Sequence, residues 1–267
     1  MTLEEIKEKI KNDPEYDFLR IDPHLGNNVC LLYLSGSYAY GTNVEDSDID
    51  LRGVALNSKE EILLGQDFEV ISNNYLDVKI YSFKKMIKML CSNNPSVIEI
   101  FGLKPEHILY ANSIGRDLLT RKDMFLTKRV GSAFKGYIQA SLKLLESEKC
   151  LNDKTKMAKY MAHPLRLYYM VNEILTHGTV TTYRANERED LMDVKNGKYL
   201  TEDNLPSDDY YKWIVNMDRL FLHLKKNNTL PDKLDMSVID NYVMSVHEKI
   251  VKDEVNWILS KCITATF

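Results

Sequence analysis

The chain is short of cysteine, with four in 267 residues, at positions 30, 91, 150 and 262. These lie too far apart for a CxxC metal or redox motif and are too few for a disulfide scaffold, so a reducing compartment is expected. No stretch reaches the roughly eighteen unbroken apolar residues that a membrane span requires. The N-terminal Thr2-Leu3-Glu4-Glu5, running into Ile6 and Ile10, has the form of a capping box on an amphipathic helix rather than of a signal peptide. The expectation is a cytoplasmic protein without a membrane partner. A basic field is missing as well: the net charge is −4, so contact with nucleic acid has to come from a local patch. His24, His107, His177, His223 and His247 are not spaced as zinc ligands, and no internal repeat or low-complexity segment appears.

What the chain does have is ample apolar content for one large domain or two ordinary ones. The first 120 residues mix strand and helix signals. Val29 to Leu34 is a continuous apolar run suited to a buried strand and ends at Ser35-Gly36-Ser37. Residues 48 to 56 form a second expected strand, and Ser58-Lys59-Glu60-Glu61 opens a short capped helix that stops at Gly65. Tyr75 to Tyr81 alternates, placing Leu76, Val78 and Ile80 on the core face and Asp77, Lys79 and Tyr81 opposite. A helix is expected from Phe83 to Leu90, broken at Asn93-Asn94, with Pro95 starting another whose Val97, Ile98 and Phe101 are buried.

Beyond about residue 120 the patterns are helical, over 122–148, 154–177 closed by Gly178, 187–196 closed by Gly197, 207–226 and 235–260. Thr179 to Tyr183 is a β-branched patch of undetermined form. The fold class expected is α+β, a small mixed β-sheet with flanking helices in residues 1–120 followed by a helical domain in 121–267.

The strongest chemical signal is Gly36-Ser37 after an apolar strand, then Asp48-Ile49-Asp50 after a short polar loop. In extended chain Asp48 and Asp50 share a face, and two carboxylates side by side repel unless a cation lies between them. Glycine at 36 lets backbone approach an anion, and a helical start at Tyr38-Ala39-Tyr40 would offer N–H groups and the Ser37 hydroxyl to phosphate oxygens. Asp48 and Asp50 would hold hard cations that neutralise that phosphate. Asp77, on the polar face of the third strand, suits a third carboxylate, with Asp67 as its rival. Arg52 shares the carboxylate face, either to anchor a phosphate or to pair with an aspartate, and Lys79 shares the face of Asp77.

Gly36-Ser37, Asp48-Ile49-Asp50 and Asp77 together resemble the hallmark of the DNA polymerase β-like nucleotidyltransferases. Gly36-Ser-Tyr-Ala-Tyr-Gly41, Ser47-Asp-Ile-Asp-Leu-Arg-Gly53, Asn94-Pro95 and Glu99 are similar to the predicted nucleotidyltransferases of the YcgL type, also called the RNA repair pathway polymerase-β family. Lys159, His163 and Arg166, one stripe of one helix, are similar to that family's Lys/His/Arg helix.

The resemblance implies transfer of a nucleoside monophosphate from an NTP to a hydroxyl, with release of pyrophosphate by a two-metal mechanism. Asp48, Asp50 and Asp77 would be the catalytic, metal-binding residues, with two Mg²⁺ ions or Mn²⁺ in their place. Gly36, Ser37, Ser47, Arg52, Lys79, Lys159, His163 and Arg166 would bind the nucleotide. The acceptor expected is a tRNA-like RNA terminus. The alternatives are a protein or small-molecule acceptor, including toxin–antitoxin-type enzymes, and a nucleotide-binding regulatory module without turnover.

Overall fold

Six consecutive apolar residues, Val29–Leu34, form β1, which is buried along its whole length. Such a run is stable only with both faces covered, so β1 lies inside a five-stranded sheet rather than at its rim. The computed structural model describes residues 1–252. Element order begins α1 (Leu3–Asn12), α2 (Phe18–Ile21), β1, α3 (Gly36–Tyr40), β2 (Leu51–Ala55), α4 (Lys59–Leu64), β3 (Val70–Asn73), β4 (Val78–Ser82) and α5 (Phe83–Cys91). It continues with α6 (Pro95–Ile98), β5 (Ile108–Ala111), α7 (Ser113–Leu119) and α8 (Lys122–Phe125). The remaining helices are α9 (Arg129–Leu144), α10 (Glu148–Leu151), α11 (Lys154–His177), α12 (Arg188–Lys195), α13 (Asp208–Lys226) and α14 (Met236–Val251).

The strand order is β3-β4-β2-β1-β5. β1 runs antiparallel to β2 and to β5, β4 antiparallel to β3, and β2 parallel to β4, so the sheet is mixed and open. One consequence of this register matters for chemistry. Leu34 pairs with Leu51, and Leu51 with Val78, so the end of β1 and the starts of β2 and β4 lie at one edge of the sheet. Ile6, Ile10, Leu32, Leu34, Leu51, Val78 and Ile80 are among the buried side chains of the core against that sheet.

Both capping boxes form. Thr2 and Glu5 exchange hydrogen bonds at the start of α1, and Ser58 and Glu61 do so at the start of α4, which Gly65 closes at φ 67°. Asn94 caps α6 with Pro95 at its first turn, and Gly178 closes α11 at φ 64°. Other expectations need correction. The third strand starts at Val78, not Tyr75, because the Asn73 carboxamide accepts from the N–H of Tyr75 (3.0 Å) and of Leu76 (3.2 Å), which turns the chain back on β3. Phe101 is only half-buried. Asp48 to Asp50 precede β2 rather than lying within it.

The helix expected over 122–148 is three pieces, α8, α9 and α10. Buried Asn93 explains the first break: its Nδ2 donates to Phe125 O (2.7 Å), and its Oδ1 accepts from the N–H and hydroxyl of Thr127 (3.3 and 3.2 Å). β3 and β5, each four residues, carry too short a pattern to be read in advance. Thr179 to Tyr183 is not a strand; Thr182 is pinned through its N–H to Gly102 O (3.1 Å) and through its hydroxyl to Glu99 O (2.6 Å). Of the helix expected over 235–260, α14 accounts for the part to Val251, and the rest lies outside the described residues.

The chain divides into two compact units, Met1–Met89 with Leu103–Met124 and the chain from Asp235, and Leu90–Gly102 with Phe125–Leu234. The division expected at 120/121 differs in two places. α14 joins the sheet unit, where Tyr242 meets the ring of Phe83 at 5.9 Å and the Arg121 guanidinium at 4.3 Å. Residues 90–102 join the helical unit, held there by Asn93, Glu99 and Gly102. In that unit α11 is the central helix, packed by α9, α12 and α13, with Phe134, Ile138, Tyr210 and Phe221 among its buried neighbours.

Candidate active site

The sheet edge where β1 ends and β2 and β4 begin carries Gly36, Asp50 and Asp77. Gly36 opens α3 at φ 59°, a left-handed conformation that favours glycine. A Cβ added there would lie 1.6 Å from Asp50 Oδ2, so the Asp50 carboxylate rests against the bare α-carbon of the helix start. The backbone ties the same groups together: Ser35 N–H donates to Asp50 O (2.8 Å), and Leu51 N–H to Asp77 O (3.1 Å). Gly41, at φ 76°, closes α3 by donating to the Ser37 and Tyr38 carbonyls. Ser37 itself is half-buried at the first turn.

Asp50 and Asp77 meet through their side chains. The hydrogen bond with Asp50 is the largest influence on Asp77 and holds its pKa below the ordinary carboxylate value. Burial opposes this, while the charge and hydrogen bond of Arg52 and the charge of Lys79 reinforce it. A hydrogen bond between two carboxyl groups needs a shared proton, and a bound cation can take that proton's place. Asp77 has φ 47°, the left-handed region, at the last position of the β3–β4 turn.

Arg52 holds Asp77 in that conformation. Its Nη2 pairs with Asp77 Oδ1 at 2.9 Å, and its Nη1 donates to the backbone oxygens of Asp77 and Leu51. Of the two roles open to Arg52 in the sequence, the structure shows the pairing with aspartate. Lys79 stands beside it, directly across the parallel β2–β4 pair. Asp67, the rival third acid, is ion-paired with Lys84.

Asp48 is exposed, one residue before buried Ile49, so the alternation expected of 48–51 survives without a strand. Among the described residues no group of three or more His, Cys, Asp or Glu side chains is gathered as a metal cluster. The structure thus brings Asp50 and Asp77 together and leaves Asp48 nearby in sequence on open chain. The donor set is all carboxylate oxygen, which suits a hard cation such as Mg²⁺ or Mn²⁺. Ser47 is committed to its own loop, its Oγ accepting from Val44 N–H at 2.8 Å.

The stripe of Lys159, His163 and Arg166 belongs to α11 in the helical unit, and its members differ in environment. Lys159 is exposed. Arg166 is 6% exposed, with its guanidinium 3.7 Å from the carboxylate of buried Glu99. His163 is pushed down to about 3 by burial and by the Arg166 charge, so it is neutral at physiological pH. Arg184, in the loop after α11, is buried and ion-paired with Glu173 at 2.8 Å. No spacing in the sequence signals that pair, because the loop at 179–187 brings it about.

A curated relative, an uncharacterized 38.9 kDa protein from the nrdC-mobD intergenic region of Enterobacteria phage T4, is 23% identical over 117 residues. The match takes in 39% of this chain, and the chain spans about a third (34%) of that relative's length. The profile of the RNA repair pathway DNA polymerase beta family matches residues 8–245, which takes in β1, Gly36-Ser37, both strands beside Asp50 and Asp77, and α11. With nearly the whole chain matched and its glycine and carboxylates gathered at one sheet edge, the protein belongs to the RNA repair pathway DNA polymerase beta family of nucleotidyltransferases.

Proposed function

We propose that the protein transfers a nucleoside monophosphate from an NTP to a hydroxyl of an RNA terminus, releasing pyrophosphate. The observation that carries this reading is the Asp50 carboxylate resting against the bare α-carbon of Gly36 while it also meets Asp77. Asp48, Asp50 and Asp77 would hold Mg²⁺, which when bound neutralises triphosphate charge and favours ionisation of the attacking hydroxyl.

The chain's own residues do the positioning. Gly36 lets the triphosphate approach the start of α3, where the Ser37 N–H and hydroxyl are donors suited to its terminal oxygens. Asp77, whose ionised form the Arg52 and Lys79 charges favour, accepts the proton of the acceptor hydroxyl as the new ester bond forms to the α-phosphorus and the bond to pyrophosphate breaks. Arg52 is a positioning residue, acting through Asp77. Lys79, and Lys159 in the helical unit, are cations suited to phosphate. The burial of Arg166 and the neutrality of His163 favour a part in shaping the helical unit over direct charge pairing with nucleotide.

The test incubates the protein and Mg²⁺ with each α-labelled NTP and, separately, an RNA pool, a protein lysate and small hydroxylated compounds. The expected result is label on RNA, abolished by Asp50→Ala. Label on protein or on small molecules overturns the acceptor, and labelled nucleotide bound without any product overturns turnover in favour of a regulatory module.

A further inference from the structure

The strand order sets the parts of the catalytic edge in a row. β1 leads into Gly36, Asp50 leads into β2 and Asp77 into β4, with β3 beyond β4 as the last strand. The β3–β4 turn therefore lies on the far side of the two carboxylates from Gly36, where the triphosphate is proposed to lie. In an in-line transfer the attacking hydroxyl comes from the side opposite the leaving pyrophosphate, so this turn stands where an acceptor arrives.

The turn and the strand after it carry groups suited to the separate parts of a nucleotide. Tyr75, two residues before Asp77, is 86% exposed, more than any other large hydrophobic side chain among the described residues. Its backbone is nevertheless held, because Asn73 Oδ1 accepts from the N–H of Tyr75 at 3.0 Å and of Leu76 at 3.2 Å. An aromatic ring presented bare on a fixed turn needs little further ordering before a base stacks on it. Two residues after Asp77, Lys79 lies on the polar face of β4, opposite buried Val78 and Ile80, and its charge reaches the Asp77 carboxylate. Ser72, which is exposed, pairs with Lys79 across the antiparallel β3–β4 ladder, so the two side chains share a face. On the other side of Lys79, Arg52 is engaged by Asp77. Asp67 and Glu69, the acids leading into β3, are ion-paired with Lys84 and Lys85.

We propose that the β3–β4 turn and the polar face of β4 hold the terminal nucleotide of a single-stranded RNA acceptor, its hydroxyl at Asp77, its base stacked on Tyr75 and its phosphate at Lys79 and Ser72. This rests on the RNA acceptor proposed above and names the surface that would hold its end. Stacking accepts any base and a lysine beside a hydroxyl meets any phosphate, so the strand is held by its end without a preferred sequence.

The test measures anisotropy of a labelled single-stranded oligoribonucleotide with the full-length protein and Mg²⁺ over a range of salt, without NTP, so that binding is read apart from chemistry. A second oligonucleotide differs only in an abasic terminal nucleotide, and equilibrium binding of labelled NTP is measured beside both. The wild type is compared with Tyr75→Ala, Tyr75→Phe and Lys79→Gln, melting curves confirming that each is folded. Tyr75→Ala is expected to weaken binding of the intact strand on the order of tenfold and to make no difference on the abasic one, while Tyr75→Phe, which keeps the ring, binds as wild type. Lys79→Gln is expected to lower the slope of log affinity against log salt by about 0.7. Intact-strand binding unchanged in Tyr75→Ala, an equal loss on both strands, an unchanged slope in Lys79→Gln, or no RNA binding by the wild type overturns the proposal. Weaker binding of NTP rather than of RNA in Tyr75→Ala also overturns it, in favour of a platform for the incoming nucleotide. A protein that binds RNA in this way and transfers no label refutes the transfer alone, and transfer to RNA that is indifferent to Tyr75 and Lys79 refutes this surface alone.

Discussion

Gly36 and Asp50 occupy space that a single methyl group would take from them. Gly36→Ala places a Cβ on the Asp50 carboxylate and forces an L side chain into the left-handed region. Backbone strain of this kind costs on the order of 1–3 kcal/mol. The variant is expected to lose that much stability in urea unfolding and to lose nucleotidyl transfer by two orders of magnitude or more, since Asp50 has to move. Arg52 makes a subtler prediction. Its charge and hydrogen bond help keep the Asp77 pKa low, so Arg52→Ala is expected to raise it. Because the ionised form is the proposed proton acceptor, the acid limb of the pH–rate profile should shift to higher pH, whereas a purely structural loss would lower the rate equally at all pH. The sign for stability agrees. A carboxyl with a lowered folded pKa stabilises above its unfolded value of 3.8, and the contribution fades as pH falls through the folded value.

At the scale of the element, a side chain several residues away decides where Asp77 stands. Asn73→Ala removes the acceptor of two turn N–H groups, which otherwise set the β3–β4 turn. The expected cost is about 1 kcal/mol of stability, with a fall in kcat and little change in nucleotide affinity, measured by comparing turnover with equilibrium NTP binding. On α11, half-buried His163 is held neutral by burial and by the Arg166 charge, with a pKa of about 3. A histidine whose folded pKa is lowered from 6.5 binds more protons when unfolded, so stability drains away as pH falls from about 6.5 towards 3. The drain is on the order of 2 kcal/mol at pH 5. His163→Gln should flatten this dependence, checked by urea unfolding at pH 7 and pH 5. The stripe of Lys159, His163 and Arg166 was legible in the sequence as spacing, but which members meet water was not, because burial depends on Glu99 and the loop at 179–187.

For the whole molecule, the two units are not two halves of the chain. α14 belongs with the sheet, anchored by Tyr242 between Phe83 and Arg121. Tyr242→Ala is expected to cost about 3 kcal/mol and to lower hydrogen-exchange protection in β1 and β2 while leaving α11 protected. Equal loss in α11 would overturn the grouping. Among the described residues no helix is long and apolar enough to cross a membrane.

The local signals were carried by the sequence itself: both capping boxes, the buried run of β1 and the glycine closures of α4 and α11. Each depends on residues within a few positions of one another, so hydrogen bonding and periodicity suffice to show it. The chemistry of the site was legible as residue types, two aspartates after a glycine turn and a third farther on. Only the tertiary structure decided that Asp50 and Asp77 meet, that Asp48 stays on open chain, that Arg52 serves Asp77, and that Tyr169 on α11 meets Asp190 on α12. Those facts come from strand register and helix packing. The parallel pairing of β2 with β4 and the seating of α12 on α11 bring together residues distant in the chain, and no local pattern encodes the pairing.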